Sequence, residues 1–149
     1  MGLIDVASWH SKCAGLDYYE EKRVIECKKV GDGEYSGKVK GEKIYDVTIN
    51  TIHPRSSSCN CPFACDRRVI CKHQIALLFK ANPKEAREFK EFIKQQEEEY
   101  EEYQLELESR LDEYLDGLTK QELKGTLMDV LNDAPEWVYD NLIRRTIGW

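Results

Sequence analysis

The first part of the chain passes from a helical to an alternating pattern of hydrophobic residues. Apolar side chains recur at helical spacing near the start, which predicts a short helix in "VASWHSKCAGLDYYEE". The apolar positions of that helix are Val6, Trp9, Cys13 and Leu16. From Arg23 to Ile52 the chain consists of short runs with a two-residue period, and glycine-rich turns separate these runs. This pattern predicts three short strands in an antiparallel meander. One face of the third strand carries Tyr45, Val47, Ile49 and Thr51.

A helical period returns after residue 72. The segment "KHQIALLFKAN" predicts a short buried helix. Its apolar face consists of Ile75, Ala76, Leu78 and Phe79. A long helix should follow, because Asn82 can cap it, Pro83 suits its first turn, and no helix breaker appears before Gly117.

The predicted long helix carries a heptad-like stripe, which Gln96 and Arg110 interrupt. The positions of the stripe are Phe89, Ile93, Gln96, Tyr100, Tyr103, Leu107, Arg110 and Tyr114. Such a face can pack on the protein's own helices or pair with a second chain. An isolated solvated helix is the less favoured alternative, because helices owe most of their stability to packing.

Two shorter helices complete the pattern. Thr119 followed by Glu122 forms a capping box, and Asp133 followed by Glu136 indicates a second helix start. The elements together predict an α+β fold, in which a small antiparallel meander and a short helix precede a long helix and a helical tail.

Length and charge divide the chain into two parts. The 149 residues are enough to bury a core, and the elements predict a first domain at 1–82 and a helical tail at 83–149. Residues 1–94 carry 17 basic and 13 acidic residues, whereas residues 95–149 carry 5 and 15. Two surfaces with different partners are one interpretation of this asymmetry, and a solvated acidic helix beside an ordinary domain is the other.

The composition indicates a cytoplasmic protein. The start of the chain lacks the basic and apolar regions of a secretory signal, and no apolar run approaches the length of a membrane span. We therefore expect no membrane partner and a reducing compartment. In such a compartment, clustered cysteines indicate a metal site more often than disulfides.

The stretch "CNCPFACDRRVICKH" carries the strongest chemical signal. Cys59 and Cys61 are two residues apart, so an extended backbone points both sulfurs to one side. Cys71 and His73 repeat that spacing, and nine residues lie between the pairs. Three thiolates and one imidazole suit one tetrahedral, structural Zn²⁺, and this closed set leaves no open position for metal catalysis. Nearby cations that can offset the thiolate charge are Arg67, Arg68 and Lys72.

The remaining cysteines and histidines fit ordinary roles. Cys65 lies within the spacer, and we interpret it as a spare thiol, although it can also replace Cys59 or Cys61 as a ligand or form a disulfide on oxidation. Cys13 and Cys27 are expected in or near the core. The other histidines, His10 and His53, have no ligand-like spacing.

The ligand spacing is the signature of the SWIM zinc finger, and the chain resembles bacterial SWIM-domain proteins over most of its length. The similar segments are "GLDYYEEKRV", "YSGKVKGEKIYDVTI", "CKHQIALL" and "LTKQELKGTLMDVLNDAPEWVYDNL". This resemblance implies one structural zinc on a small β-plus-helix unit, with Cys59, Cys61, Cys71 and His73 as ligands. It also implies a role in binding DNA or proteins, without catalysis.

Two functions follow from the sequence. The acidic helical tail favours an assembly module that binds a protein partner or a second copy of itself. DNA binding by the zinc half is the alternative. The candidate contacts are Lys38, Lys40, Arg55, Arg67, Arg68 and Lys72. An enzyme is not expected, since no set of acid, base and nucleophile accompanies the thiols, and no small-molecule substrate is indicated.

Overall fold

The computed structural model describes residues 2–148 and confirms the α+β fold. The helices are α1 (Leu3–Val6), α2 (Trp9–Glu20), α3 (Lys72–Ala81), α4 (Pro83–Asp116), α5 (Lys120–Asp133) and α6 (Glu136–Thr146). The strands are β1 (Val24–Gly31), β2 (Glu34–Lys40), β3 (Ile44–Asn50) and β4 (Ser58–Cys59). Within the described residues, no helix has both the length and the hydrophobicity that crossing a bilayer requires.

The four strands form one antiparallel sheet in the order β1-β2-β3-β4. The predicted meander supplies the first three strands, and Tyr45, Val47 and Ile49 are buried on one face as expected. The sequence did not predict strand β4, because two residues are too few to show an alternation of hydrophobic and polar positions. It pairs with β3 so that Cys59 lies opposite Val47, which brings the Cys/His stretch to the sheet edge.

Helix α3 occupies the centre of the first part of the molecule. Every residue from His73 to Phe79 is buried, so α3 is enclosed on all sides and not along one apolar face as the pattern suggested. Two glycines allow its close packing. A Cβ atom at Gly15 would lie 2.5 Å from the Ile75 side chain, and one at Gly37 would lie 2.6 Å from the Leu77 side chain.

The N-terminal segment forms two helices where the pattern predicted one. The chain breaks at Ser8, whose hydroxyl accepts a hydrogen bond of 3.1 Å from the Ser11 N–H and caps α2. Val6 and Trp9 are 46% and 53% exposed, so they do not belong to a buried apolar face. Trp9 instead lies edge-on to Phe89, with ring centroids 5.7 Å apart.

Helix α4 begins at Pro83 and ends at Asp116, close to the predicted limits. Its first turns belong to the core, since Ala86 and Phe89 are buried. Accordingly, the chain divides into two compact units between Gln96 and Glu97, inside α4, whereas the expected domain boundary lay between residues 82 and 83.

The second unit contains the end of α4 together with α5 and α6. No side chain is buried among its described residues. The capping box of α5 is present as predicted, with the Glu122 N–H donating to the Thr119 hydroxyl at 3.3 Å. The predicted start of α6 was wrong: Asp133 ends α5, and Pro135 is the residue that precedes α6. A groove of about 680 Å³ runs between α5 and α6.

Candidate metal centre

Cys59 ends the edge strand β4, and Cys61 follows two residues later at a bend of the chain. Between them, Asn60 is fixed to β3 by two hydrogen bonds: its N–H donates to the Asp46 carbonyl at 3.3 Å, and its side-chain oxygen accepts from the Asp46 N–H at 2.9 Å. Both cysteines are buried, while Asn60 is exposed. The hydrogen bonds thus hold Asn60 on the outside, while the cysteines before and after it face the interior.

The start of α3 supplies the second ligand pair. Cys71 is the residue that caps this helix, and its N–H donates to the Gln74 side chain at 2.8 Å. The Cys71 sulfur in turn accepts from the Gln74 backbone N–H. His73 lies in the first helical turn, with its ring against Tyr45 at 4.6 Å and Tyr18 at 5.4 Å between centroids.

The two pairs converge on one point. The four possible ligand atoms all lie within 4.8 Å of one another. His73 Nδ1 is 3.8 Å from the sulfurs of both Cys59 and Cys71. A tetrahedral zinc ion would separate sulfur from nitrogen by about 3.6 Å and sulfur from sulfur by about 3.8 Å, as its bond lengths require. The exposed fractions of the four residues are only 1–5%, so this buried Cys₃His group can hold a metal ion.

The electrostatics of the group also fit a cation. The hydrogen bond with Cys71 and burial raise the pKa of Cys59. The same hydrogen bond lowers the pKa of Cys71, assisted by His73 and by the Gln74 backbone N–H. The two sulfurs therefore interact strongly, and ionisation of both needs a compensating positive charge. A divalent metal ion would supply that charge and stabilise the thiolates.

The His73 ring is positioned by packing, which sequence reasoning did not identify. Its Nε2 is buried and has no hydrogen-bond partner among the described residues. Gly41 makes room for it, since a Cβ atom there would lie 3.0 Å from Nε2 and 2.8 Å from the Tyr45 ring. Tyr18 and Tyr45 come from distant elements, α2 and β3, so no local spacing reveals that they enclose this ring.

Cys65 lies outside the ligand group. A tight turn follows Cys61, whose carbonyl accepts from the N–H groups of Ala64 at 3.1 Å and Cys65 at 2.9 Å. The Cys65 side chain is exposed and contacts Asp66 at 3.7 Å. Cys65 is a free thiol. This placement agrees with the interpretation of Cys65 as a spare thiol of the spacer.

A cleft of about 210 Å³ borders three of the four ligands, namely Cys61, Cys71 and His73. Its other side is formed by His10, Ser11, Phe63 and Lys72. A metal site needs an entry path, and this cleft offers one to an otherwise buried group.

The structure brings together three of the six candidate nucleic-acid contacts. Arg67 and Arg68 border a cleft of about 410 Å³ beside Cys59. Arg68 also borders a second cleft with Arg55 and Ile70. The three exposed arginines therefore occupy adjoining surface between the short helical turn at Pro54–Ser56 and the spacer loop.

The three candidate lysines lie elsewhere. Lys38 and Lys40 are exposed on β2, and Lys38 forms an ion pair of 2.7 Å with Asp46 on the neighbouring strand. Lys72 lies 4.6 Å from the centre of the Tyr18 ring, which also contacts Arg23. These contacts engage Lys38 and Lys72 within the fold, and sequence spacing could not reveal either of them.

Comparisons with known proteins add nothing to this geometry: no family model, curated protein or solved structure matches the chain. The description of the site therefore depends on the residues themselves. Four buried ligand groups converge from the edge of a sheet and the start of a central helix, and they can hold one metal ion.

Proposed function

We propose that the chain is a SWIM-type zinc module that acts as a protein-interaction or assembly adaptor. The observation that supports it most is the convergence of three buried thiols and one imidazole, whose possible ligand atoms all lie within 4.8 Å of one another. Sulfur-rich tetrahedral sets select zinc or iron–sulfur centres, and Cys₃His is a common set for structural zinc. The resemblance of the ligand spacing to the SWIM finger also supports a structural zinc.

The proposed zinc has a structural role. Four protein ligands fill a tetrahedral shell, whereas catalytic zinc keeps a position for water or substrate. Cys59 and Cys61 would hold the ion at the sheet edge, and Cys71 and His73 would hold it at the start of α3. When bound, the ion supplies a cross-link between these elements, worth on the order of 10 kcal/mol by analogy with zinc-finger peptides.

The adaptor role is supported by the second unit. It exposes many large apolar side chains, and residues 95–149 combine them with 15 acidic and only 5 basic residues. Exposed apolar surface of this kind is typical of interaction sites. The strong negative charge disfavours nucleic acid as the ligand of this unit and favours a protein.

Affinity purification from the source cells, with and without nuclease, tests this function. We expect a discrete protein partner that survives nuclease treatment. Light scattering during size-exclusion chromatography should give the stoichiometry of the purified complex. A strictly monomeric chain with no recovered partner would overturn the adaptor proposal, and a partner lost after nuclease treatment would favour DNA binding.

DNA binding is the second candidate, because Arg55, Arg67 and Arg68 occupy adjoining exposed surface. Binding to a labelled duplex should weaken as salt increases, since phosphate contacts release counterions. The double variant Arg67→Ala and Arg68→Ala should lower the affinity about tenfold or more. The matched control is Arg144→Ala with Arg145→Ala on α6, and equal effects from both pairs would reject a specific surface.

A further inference from the structure

An apolar stripe, with Arg110 at its edge, runs along the part of α4 that belongs to the second unit. Its members are Tyr100, Tyr103, Leu107, Leu111 and Tyr114, which we call the α4 stripe. They recur every three or four residues, so they lie on one helix face and extend over about 21 Å. Their exposed fractions range from 40% to 63%, which leaves the whole face open to solvent.

The exposed surface is large enough to form the centre of an interface. Partly exposed aromatic and leucine side chains of this size offer on the order of 500 Å² together. One partner contributes roughly 800 Å² to a standard interface, so the α4 stripe with its polar edges approaches that size. Its length and narrowness match an amphipathic helix packed alongside, as in helix-in-groove recognition.

Four glutamates flank the α4 stripe, against one basic residue, Arg110, which lies beside Leu107 and Tyr114. On one side Glu101 and Glu108 are exposed one heptad apart, and on the other side Glu106 and Glu113 repeat that spacing. A second copy of this chain would bring acidic edges of the same kind against these, which is unfavourable. A partner helix with basic flanks would instead place opposite charges against the four glutamates.

We infer that the α4 stripe docks a basic amphipathic helix supplied by another protein. This inference rests on the proposed adaptor function and specifies its partner: apolar residues at heptad spacing, with lysine or arginine beside them. The apolar contacts supply affinity, and the acidic edges supply selection by charge and faster association.

The test mixes the 149-residue chain, loaded with zinc, with a labelled three-heptad peptide of leucine and lysine. The peptide carries leucine at the a and d positions and lysine elsewhere. We expect fluorescence anisotropy to show binding that weakens severalfold when the salt concentration rises from 50 to 300 mM, because the charge pairs are exposed. A scrambled peptide of the same composition and a leucine–glutamate peptide should bind at least tenfold more weakly.

Matched variants locate the site. The double variant Leu107→Ser with Leu111→Ser should weaken peptide binding at least tenfold. Leu105→Ser is the control, because Leu105 is also exposed on α4 but lies on the opposite side from the α4 stripe. Circular dichroism should show the same helix content in both variants. Equal binding by the scrambled peptide, or equal losses from both variants, would overturn the inference.

The outcomes also separate this inference from the adaptor function. A cellular partner that survives nuclease treatment and still binds the Leu107→Ser, Leu111→Ser variant would leave the adaptor function standing and reject the α4 stripe as its site. A dimer in analytical ultracentrifugation that the same variant dissociates would identify a second copy as the occupant. Absence of both peptide binding and a cellular partner would reject both proposals.

Discussion

The two units of this protein differ in what holds them in shape. In the first unit, the sheet and α2 enclose α3, and Ile75, Leu77 and Phe79 are fully buried. In the second unit, no described side chain is buried. Burial of apolar side chains stabilises the first unit, and a bound metal ion would add to it.

The stability of the second unit depends on interactions within its individual helices. Its helices have a capping box at Thr119, an acidic residue in the first turn of α6 and Arg144 and Arg145 in the last turn. Each of these features stabilises a helix by about 1 kcal/mol or less. Helices of 14 and 11 residues, such as α5 and α6, are marginal without packing. The comparison therefore predicts that the units respond differently to the same kinds of change.

The largest expected effect comes from removing a metal ligand. The proposed zinc ion would contribute on the order of 10 kcal/mol, so Cys71→Ser should abolish stoichiometric zinc binding and unfold the first unit at ordinary temperature. Metal analysis and near-ultraviolet circular dichroism measure the two consequences.

Cys65→Ser is the matched control for that experiment. Cys65 is an exposed thiol in the same stretch and lies outside the ligand group. Its variant should therefore keep one zinc per chain and the full near-ultraviolet circular dichroism signal. Loss of zinc from both variants would show that the ligand set differs from the one that the geometry indicates.

Glycine-to-alanine substitutions should give the next largest difference in stability between the two units. A Cβ atom at Gly37 would lie 2.1 Å from the Glu26 carbonyl oxygen and 2.6 Å from the Leu77 side chain, whereas one at Gly125 in α5 has no neighbour within 4 Å. Gly37→Ala should destabilise the first unit by about 3 kcal/mol through overpacking. Gly125→Ala should stabilise α5 by about 1 kcal/mol through helix propensity.

Thermal unfolding followed by circular dichroism measures both effects. The first unit should melt at a lower temperature in Gly37→Ala, and helix content at 222 nm should rise in Gly125→Ala. A destabilised Gly125→Ala variant would contradict the comparison, because it would require close packing around α5.

The smallest effect concerns the start of α5. Hydrogen bonds from the Thr119 backbone N–H and hydroxyl lower the pKa of Glu122. Since the folded pKa is lower than the unfolded pKa, the ionised carboxylate stabilises α5 above the unfolded pKa, and this stabilisation is lost as pH falls through the folded pKa. Thr119→Ala should raise the pKa of Glu122 in an NMR titration, and Thr126→Ala, within the helix, should leave it unchanged.

The ligand group was predictable from sequence because its signal is local. Residues two apart point to the same side of an extended chain, so the spacing of Cys59 with Cys61 identifies a chelating pair without knowledge of the fold. Helix starts were also predictable where side chains cap the backbone, as at Thr119. The start of α6 was mispredicted because Asp133 fits a capping pattern but continues α5 as its last residue.

Features that depend on distant contacts were not predictable. Tyr18 and Tyr45 enclose His73 from two separate elements, and Asp46 engages Lys38 across a strand pair. The heptad-like pattern of α4 indicated an apolar face but left its partner open. In the structure its first turns enter the core through Phe89, whereas the face beyond Gln96 stays exposed, a division that periodicity alone does not contain.

Hydrogen–deuterium exchange with and without a zinc chelator tests the central claim most directly. That claim is that a metal ion bound by Cys59, Cys61, Cys71 and His73 holds the first unit together, while the second unit does not depend on it. Chelation should accelerate amide exchange in α3 by at least about 1,000-fold, which corresponds to roughly 4 kcal/mol of lost protection. Exchange in α5 and α6 should stay the same. Undiminished protection of α3 after complete removal of the metal would contradict the claim.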